Sequence, residues 1–138
     1  MRIASGAMQT SIKLVTPSGS PAPAGPYSPA VIAGNLVFVS GQGGRDPRTN
    51  AIAPDVETQT DQVLRNIATI LEGAGSSLAH VVRCGVFLVD ISEFEKMNAV
   101  YARVFGSHRP ARTTVEVSSL PGEGMRVEID AVAIVPAP

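Results

Sequence analysis

The sequence predicts an α+β domain in which two helices pack on one face of a β-sheet. Strand-like and helix-like periodicities alternate along the 138 residues in the order β-β-β-α-β-α-β-β. Two amphipathic helices can cover only one face of such a sheet, so the second face is left for other subunits. Charged residues make up 17% of the chain. A typical domain has about 25%, so this scarcity also favours burial against other copies.

The first three elements are predicted to be strands. Residues 13–15 form a short apolar run, and residues 17–29 form a loop rich in proline, glycine and serine. Two further apolar runs, residues 31–32 and 36–40, flank the turn dipeptide Gly34-Asn35. This pattern is typical of a β-hairpin.

A helix is predicted from Asp55 to Glu72. A loop with turn chemistry over residues 41–50 precedes it. Asp55 is suited to cap the first turn, and Gly73 and Gly75 supply a stop. The apolar residues of this helix recur on one face, at Val63, Leu64, Ile67, Ile70 and Leu71.

A strand and a second helix are predicted next. Residues 80–89 are rich in valine, phenylalanine and leucine and too few for a helix of this composition, so we predict a strand. Ser92, with Glu95 three residues later, is a capping-box signature for a helix start. Gly106 is placed to end that helix. Its apolar stripe contains Phe94, Met97, Tyr101, Val104 and Phe105.

Two strand-like runs close the domain, residues 113–118 and 126–135, joined by a turn over residues 120–124. Because successive side chains of a strand point to opposite faces, Glu128 and Asp130 are expected to share a face. The same alternation places Arg112, Thr114 and Glu116 on one face of the preceding strand. A partly polar sheet face without a helix is a natural docking surface, so we expect oligomerisation through the sheet.

The charge pattern argues against a nucleic-acid partner. The net charge is −1 and the isoelectric point about 6.1, and the 11 basic residues form no run. Binding to nucleic acid relies on clustered lysine and arginine. Aromatic residues, at 4% of the chain, also leave little material for a base-stacking surface.

The chain is expected to be a single cytoplasmic domain over residues 1–138. Residues 1–10 are expected to be a flexible N-terminal extension, with a second candidate start at Met8, and they lack the apolar core of a signal peptide. We expect no contact with a membrane, because no apolar stretch has the length of a span. The single cysteine, Cys84, excludes an intrachain disulfide and fits a reducing compartment.

Most familiar catalytic motifs are missing from the sequence. His80 and His108 have no partner at metal-ligand spacing, so we expect no metal site. Residues 41–44 (GQGG) lack the ending of a phosphate-binding loop and are predicted to form a turn. Cys84 lies inside a predicted strand, where a small buried apolar role is favoured over a nucleophilic one.

The remaining candidates are one arginine, three carboxylates and a tyrosine in a proline-rich turn. Arg112 offers a planar fork that suits a carboxylate ligand. Spacing alone nevertheless favours an ion pair between Arg112 and a neighbouring glutamate. The other candidates are Tyr27, Glu116, Glu128 and Asp130.

Five segments also match the signatures of a known family, in order and with similar spacing. They are residues 25–30 (GPYSPA), 37–42 (VFVSGQ), 94–101 (FEKMNAVY), 110–115 (PARTTV) and 127–131 (VEIDA). Over about residues 16–135 the chain resembles the reactive intermediate deaminases, the Rid family, also called YjgF or endoribonuclease L-PSP proteins.

The resemblance implies a chorismate-mutase-like α+β fold that assembles as a homotrimer with sites at the subunit interfaces. It implies hydrolysis of 2-imino or enamine acids to 2-keto acids and ammonia, with no metal or organic cofactor. Arg112 and Glu128 would be the catalytic pair: the first binds the substrate carboxylate, the second positions or activates water. Substrate binding would also involve Tyr27, Ser40, Gly41, Asn98 and the backbone of Thr114.

Two departures from the family pattern stand out, and two alternatives stay open. Active relatives often carry cysteine at the position of Thr114, and the stretch over residues 106–109 is shorter than in some of them. We expect both changes to alter substrate preference. The first alternative is a non-catalytic or regulatory trimer that binds small carboxylates. The second is an endoribonuclease or translation inhibitor, which the acidic isoelectric point disfavours. The sequence leaves open whether Glu128 acts as base, acid or water anchor.

Overall fold

The computed structural model describes residues 11–138, and the predicted extension over residues 1–10 lies outside them. In this part of the chain, six strands form one mixed sheet and two longer helices pack against it. The strands are β1 (Ile12–Val15), β2 (Ala30–Ala33), β3 (Leu36–Gln42), β4 (Val81–Leu88), β5 (Ala111–Glu116) and β6 (Val127–Ile134). The helices are α1 (Val56–Gly73) and α2 (Phe94–Phe105), with short 3₁₀ turns at Leu78–His80 and Ile91–Glu93.

The strand order in the sheet is β1-β2-β3-β6-β4-β5. Neighbouring strands are antiparallel except β4 and β5, which run parallel because α2 forms the crossover between them. The predicted order of elements is confirmed. β5 begins at Ala111 and ends at Glu116, about two residues earlier than the sequence pattern predicts.

A β-bulge interrupts the pairing of β3 with β6. Val39 pairs with Ala131, and the next pair on the same ladder is Gln42 with Ile129. β3 therefore has one residue more than β6 between these pairs. Residues 40–41 form the bulge, which changes the direction of the neighbouring side chains. This irregularity lies where β3 approaches the candidate site.

Helix α1 begins and ends as predicted. The Asp55 carboxylate accepts a hydrogen bond from the backbone N–H of Thr58 at 2.9 Å, which satisfies an otherwise unpaired donor of the first turn. The helix ends at Gly73, and Gly75 follows with a φ of 82°, the left-handed conformation that suits glycine. The predicted apolar face is fully buried: Val63, Leu64, Ile67, Ile70 and Leu71.

The predicted capping box at the start of α2 is wrong. A 3₁₀ turn precedes the helix, and the Asp90 carboxylate caps that turn by accepting from the backbone N–H of Ser92 at 2.9 Å. Glu93 occupies the N-cap of α2 without a side-chain bond. The apolar stripe is mostly buried, but Phe94 remains 36% exposed at the first position of the helix.

The core lies between the two helices and one face of the sheet. In β6, buried Val127, Ile129, Ala131 and Ala133 alternate with half-buried residues that point to the other face. We call that other face the open face. An apolar row crosses it from strand to strand, formed by Leu14, Val31, Phe38 and Val132. Leu14 and Phe38 are 64% and 44% exposed, so a large apolar surface faces outward.

Within residues 11–138, no helix has the length and apolar character that crossing a membrane requires.

Candidate active site

The predicted site residues fall into two groups on opposite faces of the sheet. Arg112 pairs with Cys84 across the parallel ladder, and Cys84 is buried on the helix side, so Arg112 shares that side. Glu128 lies between Val127 and Ile129, both buried, and therefore points to the open face. The two proposed catalytic side chains do not meet within one chain.

The register of the sheet gives the scale of this separation. Arg112 pairs with Cys84, and Cys84 pairs with Ala131, three residues along β6 from Glu128. Two strand spacings across the sheet amount to roughly 10 Å, and three residues along β6 amount to roughly 10 Å at right angles to them. The α-carbons of Arg112 and Glu128 are therefore roughly 14 Å apart. Since the side chains also diverge, one small substrate cannot contact both in a single copy.

An aromatic and amide cage holds the Arg112 guanidinium. Its Nη2 donates to Asn98 Oδ1 at 2.6 Å. Its central carbon lies 4.7 Å from the ring centre of Tyr101 and 5.6 Å from that of Phe94, both distances of a cation–π contact. Nη1 lies 3.9 Å from the Met97 sulfur. We call these four contacts of Arg112 the α2 cage, because every member belongs to α2.

The ion pair that spacing alone favours for Arg112 is wrong. Among the described residues, no carboxylate lies within ion-pair distance of its guanidinium. Glu116, four residues further along β5, accepts instead from the backbone N–H of Ile91 at 2.9 Å. Arg112 is thus a half-buried, positioned cation without a counter-charge, and its remaining N–H groups can receive an anion.

Two buried groups beneath the cage are uncharged. Burial raises the pKa of the Cys84 thiol, so it stays protonated near neutral pH. The pKa of Tyr101 is also raised, first by burial and second by the neighbouring Cys84 thiol. Cys84 therefore matches the predicted buried apolar role, and Tyr101 presents a neutral ring to the Arg112 cation.

The second group lines a cleft on the other face of the sheet, with a volume of about 240 Å³. Tyr27, Gly41 and Glu128 all contribute to its lining. Its walls come from two loops, residues 21–24 and residues 121–125. This volume is just below the 300–1,000 Å³ usual for drug-sized ligands, which suits a small acid. We call it the Glu128 cleft.

Gly41 allows Glu128 to lie flat against β3. A β-carbon at position 41 would overlap Glu128 Oε2 and lie 2.8 Å from its carboxyl carbon. The half-buried carboxyl has a raised pKa, first because burial disfavours its charged form and second because Asp130 is negative. A carboxyl with such a pKa can both accept and return a proton.

Asp130 is held away from the cleft by its own contacts. Its Oδ1 accepts from the backbone N–H of Gly85 at 2.8 Å and lies 3.8 Å from Arg83 Nη1. A β-carbon at Gly85 would lie 2.6 Å from the same oxygen, so glycine is needed there too. Asp130 acts on Glu128 through its charge alone.

Ser40 supports the cleft from behind and does not line it. Its hydroxyl donates to the Ser28 carbonyl at 2.6 Å, and its backbone N–H donates to the Pro29 carbonyl at 2.9 Å. These bonds fix the proline-rich loop that carries Tyr27. The Tyr27 hydroxyl accepts from the backbone N–H of Ala24 at 3.2 Å, and the ring is 48% exposed at the cleft edge.

The other predicted residues lie where the sequence pattern places them, without a shared site. Thr114 follows Arg112 on the same side of β5 and pairs with Val86. His108 Nε2 bonds to the Val81 carbonyl at 2.7 Å, and His80 bonds to a nearby serine, so both imidazoles serve local structure. Among residues 11–138, no group of three histidine, cysteine or acidic residues could hold a metal ion.

Two residues of the site escaped the sequence analysis. In the sequence, Tyr101 is only one more apolar position on the stripe of α2, although in the structure its ring lies against the Arg112 guanidinium. Arg45 belongs to a loop with turn chemistry, yet it lines the Glu128 cleft. A helical spacing of three to four residues from Asn98 could have indicated Tyr101, whereas no periodic signal marks Arg45.

The chain is similar to known proteins over most of their length. The profile of the family described as endoribonuclease L-PSP matches residues 18–135. A RutC family protein of Pyrococcus horikoshii is 48% identical over 122 residues, 88% of this chain and 96% of that protein. A 2-iminobutanoate/2-iminopropanoate deaminase of Bos taurus is 41% identical over 123 residues, 88% of this chain and 89% of that enzyme. The crystal structure of E. coli TdcF with bound serine superposes with a TM-score of 0.84 at 34% identity, covering 88% of this chain and 98% of that one.

Proposed function

The chain belongs to the endoribonuclease L-PSP (YjgF/Rid) family, and on that premise we propose that it is an imine deaminase. It would hydrolyse 2-imino or enamine acids to 2-keto acids and ammonia. The observation that carries the proposal is the α2 cage, which positions the uncompensated Arg112 cation to bind a substrate carboxylate. The names of two relatives agree with this chemistry: one is an imine deaminase, and one was crystallised with an amino acid.

The separation of Arg112 from Glu128 supports a site shared between copies of the chain. We propose a homotrimer, the number that the family resemblance implies, in which Arg112 of one subunit faces the Glu128 cleft of another. The apolar row on the open face supplies surface that association would bury, and burial of such surface drives assembly. Two half-sites on one chain would thereby become complete sites.

In the proposed mechanism, Arg112 first fixes the substrate by its carboxylate. A bidentate bond from a pre-positioned guanidinium orients carbon 2, and the backbone N–H of Thr114 adds a second contact. Tyr27, at the edge of the cleft, closes over the bound acid and limits the access of bulk water.

Glu128 then accepts and donates the protons that are transferred during hydrolysis. The imine reacts in its protonated form. Glu128, as a carboxylate, accepts a proton from a water molecule while the water oxygen bonds to carbon 2, and the C=N π electrons move to nitrogen. The resulting carbinolamine carries a hydroxyl and a neutral amine on carbon 2. Glu128 gives its proton to that amine, the C–N bond breaks and ammonia leaves, and the hydroxyl gives its proton to the Glu128 carboxylate as the carbonyl of the 2-keto acid forms. A raised pKa suits both directions of transfer.

The test is to measure ammonia and keto-acid release from imines that an amino-acid oxidase generates in place. We expect wild-type protein to accelerate release and Arg112→Ala to lower kcat/KM about a hundredfold, since a charge-assisted carboxylate contact is lost. Arg103→Ala is the matched control, because that arginine lies on the same helix as the cage but is exposed and paired with Asp61.

The outcome separates the proposed enzyme from its alternatives. Binding of 2-keto acids without acceleration of any imine, in folded and assembled protein, would favour a non-catalytic carboxylate-binding trimer. Cleavage of RNA that persists unchanged in the Arg112→Ala variant would point to activity from another site or another protein. Equal kcat/KM for Arg112→Ala and wild type would refute the anchoring role of Arg112.

A further inference from the structure

The Glu128 cleft is lined by an arginine, Arg45, that the proposed mechanism does not use. We propose that Arg45 binds a second carboxylate on the substrate, so that the cleft prefers imino acids with an acidic side chain, the 2-iminodicarboxylates. This inference rests on the proposed function and extends it to a substrate class.

The backbone that carries Arg45 is firmly anchored. Asn66, a residue of α1 that is only 1% exposed, donates from Nδ2 to the Arg45 carbonyl at 2.9 Å and to the Gly43 carbonyl at 3.2 Å. Across the loop, Arg45 forms an isolated β-bridge with Ile52. A buried amide that holds two carbonyls of one loop fixes the position from which the arginine extends.

The Arg45 guanidinium donates one hydrogen bond, and no carboxylate of the described residues pairs with it. Its Nη1 donates to the Asn50 carbonyl at 2.7 Å, and among residues 11–138 no carboxylate lies within ion-pair distance of it. The adjacent acid, Asp46, pairs with Arg48 instead, at 3.7 Å. A partly exposed guanidinium with one hydrogen bond and no carboxylate partner keeps its remaining N–H donors free for an anion.

Arg45 is not a partner for Glu128 either. Both residues line the cleft, yet they form no ion pair, and the pKa of Glu128 is raised by burial and by Asp130. An arginine in contact would favour the ionised carboxylate and lower that pKa. Arg45 is therefore available to a ligand, while Glu128 keeps the proton affinity that the chemistry needs.

The rest of the cleft would strengthen such a contact. Its remaining lining is largely apolar and includes Pro23, Ile52 and Met125. An apolar wall excludes water and lowers the local dielectric constant, so a charge-assisted hydrogen bond gains strength there. A substrate anchored at carbon 1 by Arg112 of a neighbouring copy would place its side-chain carboxylate toward Arg45.

The first experiment compares two imines of equal carbon length, those of glutamate and norvaline, generated in place by amino-acid oxidases. For the wild type we expect kcat/KM to be about ten- to a hundredfold higher for the glutamate imine, the range of one hydrogen bond to a charged group. Arg45→Gln should bring the ratio near one, and Arg45→Lys should keep part of it. Arg48→Gln is the matched control on the same loop, since its side chain is 86% exposed and outside the cleft; it should keep the wild-type ratio.

A binding measurement separates this inference from the deaminase proposal. Calorimetry with 2-oxoglutarate and 2-oxopentanoate should show at least a tenfold preference for the diacid in the wild type, lost in Arg45→Gln. That result without turnover of either imine would reject the deaminase and keep the dicarboxylate site. Turnover without any preference, in wild type and Arg45→Gln alike, would overturn the inference and leave the deaminase intact. Loss of norvaline-imine turnover in Arg45→Gln as complete as in Arg112→Ala would also overturn it, because Arg45 would then anchor carbon 1.

Discussion

Replacing Gly41 by alanine is expected to displace the Glu128 carboxylate, and the size of the effect follows from the geometry. The added β-carbon would overlap Oε2 and lie 2.8 Å from the carboxyl carbon and 3.1 Å from Cγ of Glu128. All three atoms belong to one side chain that is half-buried, so it must rotate out of its place. The two atoms that would clash are the far end of a flexible side chain, so the expected cost is about 1 kcal/mol of unfolding free energy, the low end of the range for overpacking.

The Glu128→Ala background removes the clash and supplies the reference. Gly41 does not have a positive φ, so alanine fits its backbone. In that background Gly41→Ala should be neutral or stabilise by about 0.4–1 kcal/mol, because it reduces the freedom of the unfolded chain. The double-mutant cycle should therefore show a coupling of about 1–2 kcal/mol between positions 41 and 128.

The assay is urea unfolding of the four proteins at one fixed protein concentration, because the proposed association would contribute to apparent stability. Gly43→Ala is an informative comparison, since its β-carbon would meet only the flexible end of Met125 and should couple weakly to Glu128. A coupling below about 0.5 kcal/mol would refute the reasoning, because additivity means that residues 41 and 128 do not touch.

Three further predictions concern the cage, the cleft and a helix cap. Tyr101→Phe should retain KM because the ring under Arg112 remains, whereas Tyr101→Leu should raise KM several-fold by removing a cation–π contact of about 0.5–2 kcal/mol; steady-state kinetics on one imine separates them. The raised pKa of Glu128 means that the folded state binds its proton more tightly than the unfolded state, so the stability contribution falls as pH rises above about 4.5. Unfolding by urea at several pH values should show this slope in the wild type and not in Glu128→Gln, and the rate of imine hydrolysis should rise as the carboxyl ionises. Asp90→Ala should lower the midpoint in the same urea assay, because Asp90 caps the turn before α2; an unchanged midpoint would contradict that role.

Local periodicity accounts for most of what the sequence reveals about the fold. The apolar face of α1, its Asp55 cap and the alternation in β6 depend on neighbours a few residues apart, and the structure confirms them. The capping box at Ser92 fails for a local reason as well. The Asp90 carboxylate, two residues earlier, accepts from both the backbone N–H and the hydroxyl of Ser92, the two groups that the capping box would use, and a 3₁₀ turn forms there. Two competing caps of similar strength cannot be ranked from residue types alone.

The candidate site depends on pairings that are distant in sequence, which is why the sequence reveals less of it. Strand alternation relates Glu128 to Asp130, but the face they occupy follows from the strand order. The missing ion pair of Arg112 is a similar case, because its aromatic partner Tyr101 comes from the helix before the strand. The fit of Gly41 to Glu128 requires the bulge between β3 and β6, and no local pattern specifies a bulge.

The opposite placement of Arg112 and Glu128 leads to a sharp prediction about mixed assemblies. If the sites are shared between subunits as proposed, Arg112→Ala and Glu128→Gln should each be nearly inactive alone, because each removes one half of every site. Refolded together in equal amounts, they should recover about one quarter of wild-type activity, the chance that a site takes Arg112 from one variant and Glu128 from the other. Co-refolding Arg112→Ala with an Arg112→Ala, Glu128→Gln double variant is the matched control and should recover nothing. No recovery in the first mixture, when mass spectrometry shows mixed oligomers, would place both groups of each working site in one chain. The sheet geometry excludes that arrangement for a single small substrate, so such a result would require the separation across the two faces to close by a large rearrangement.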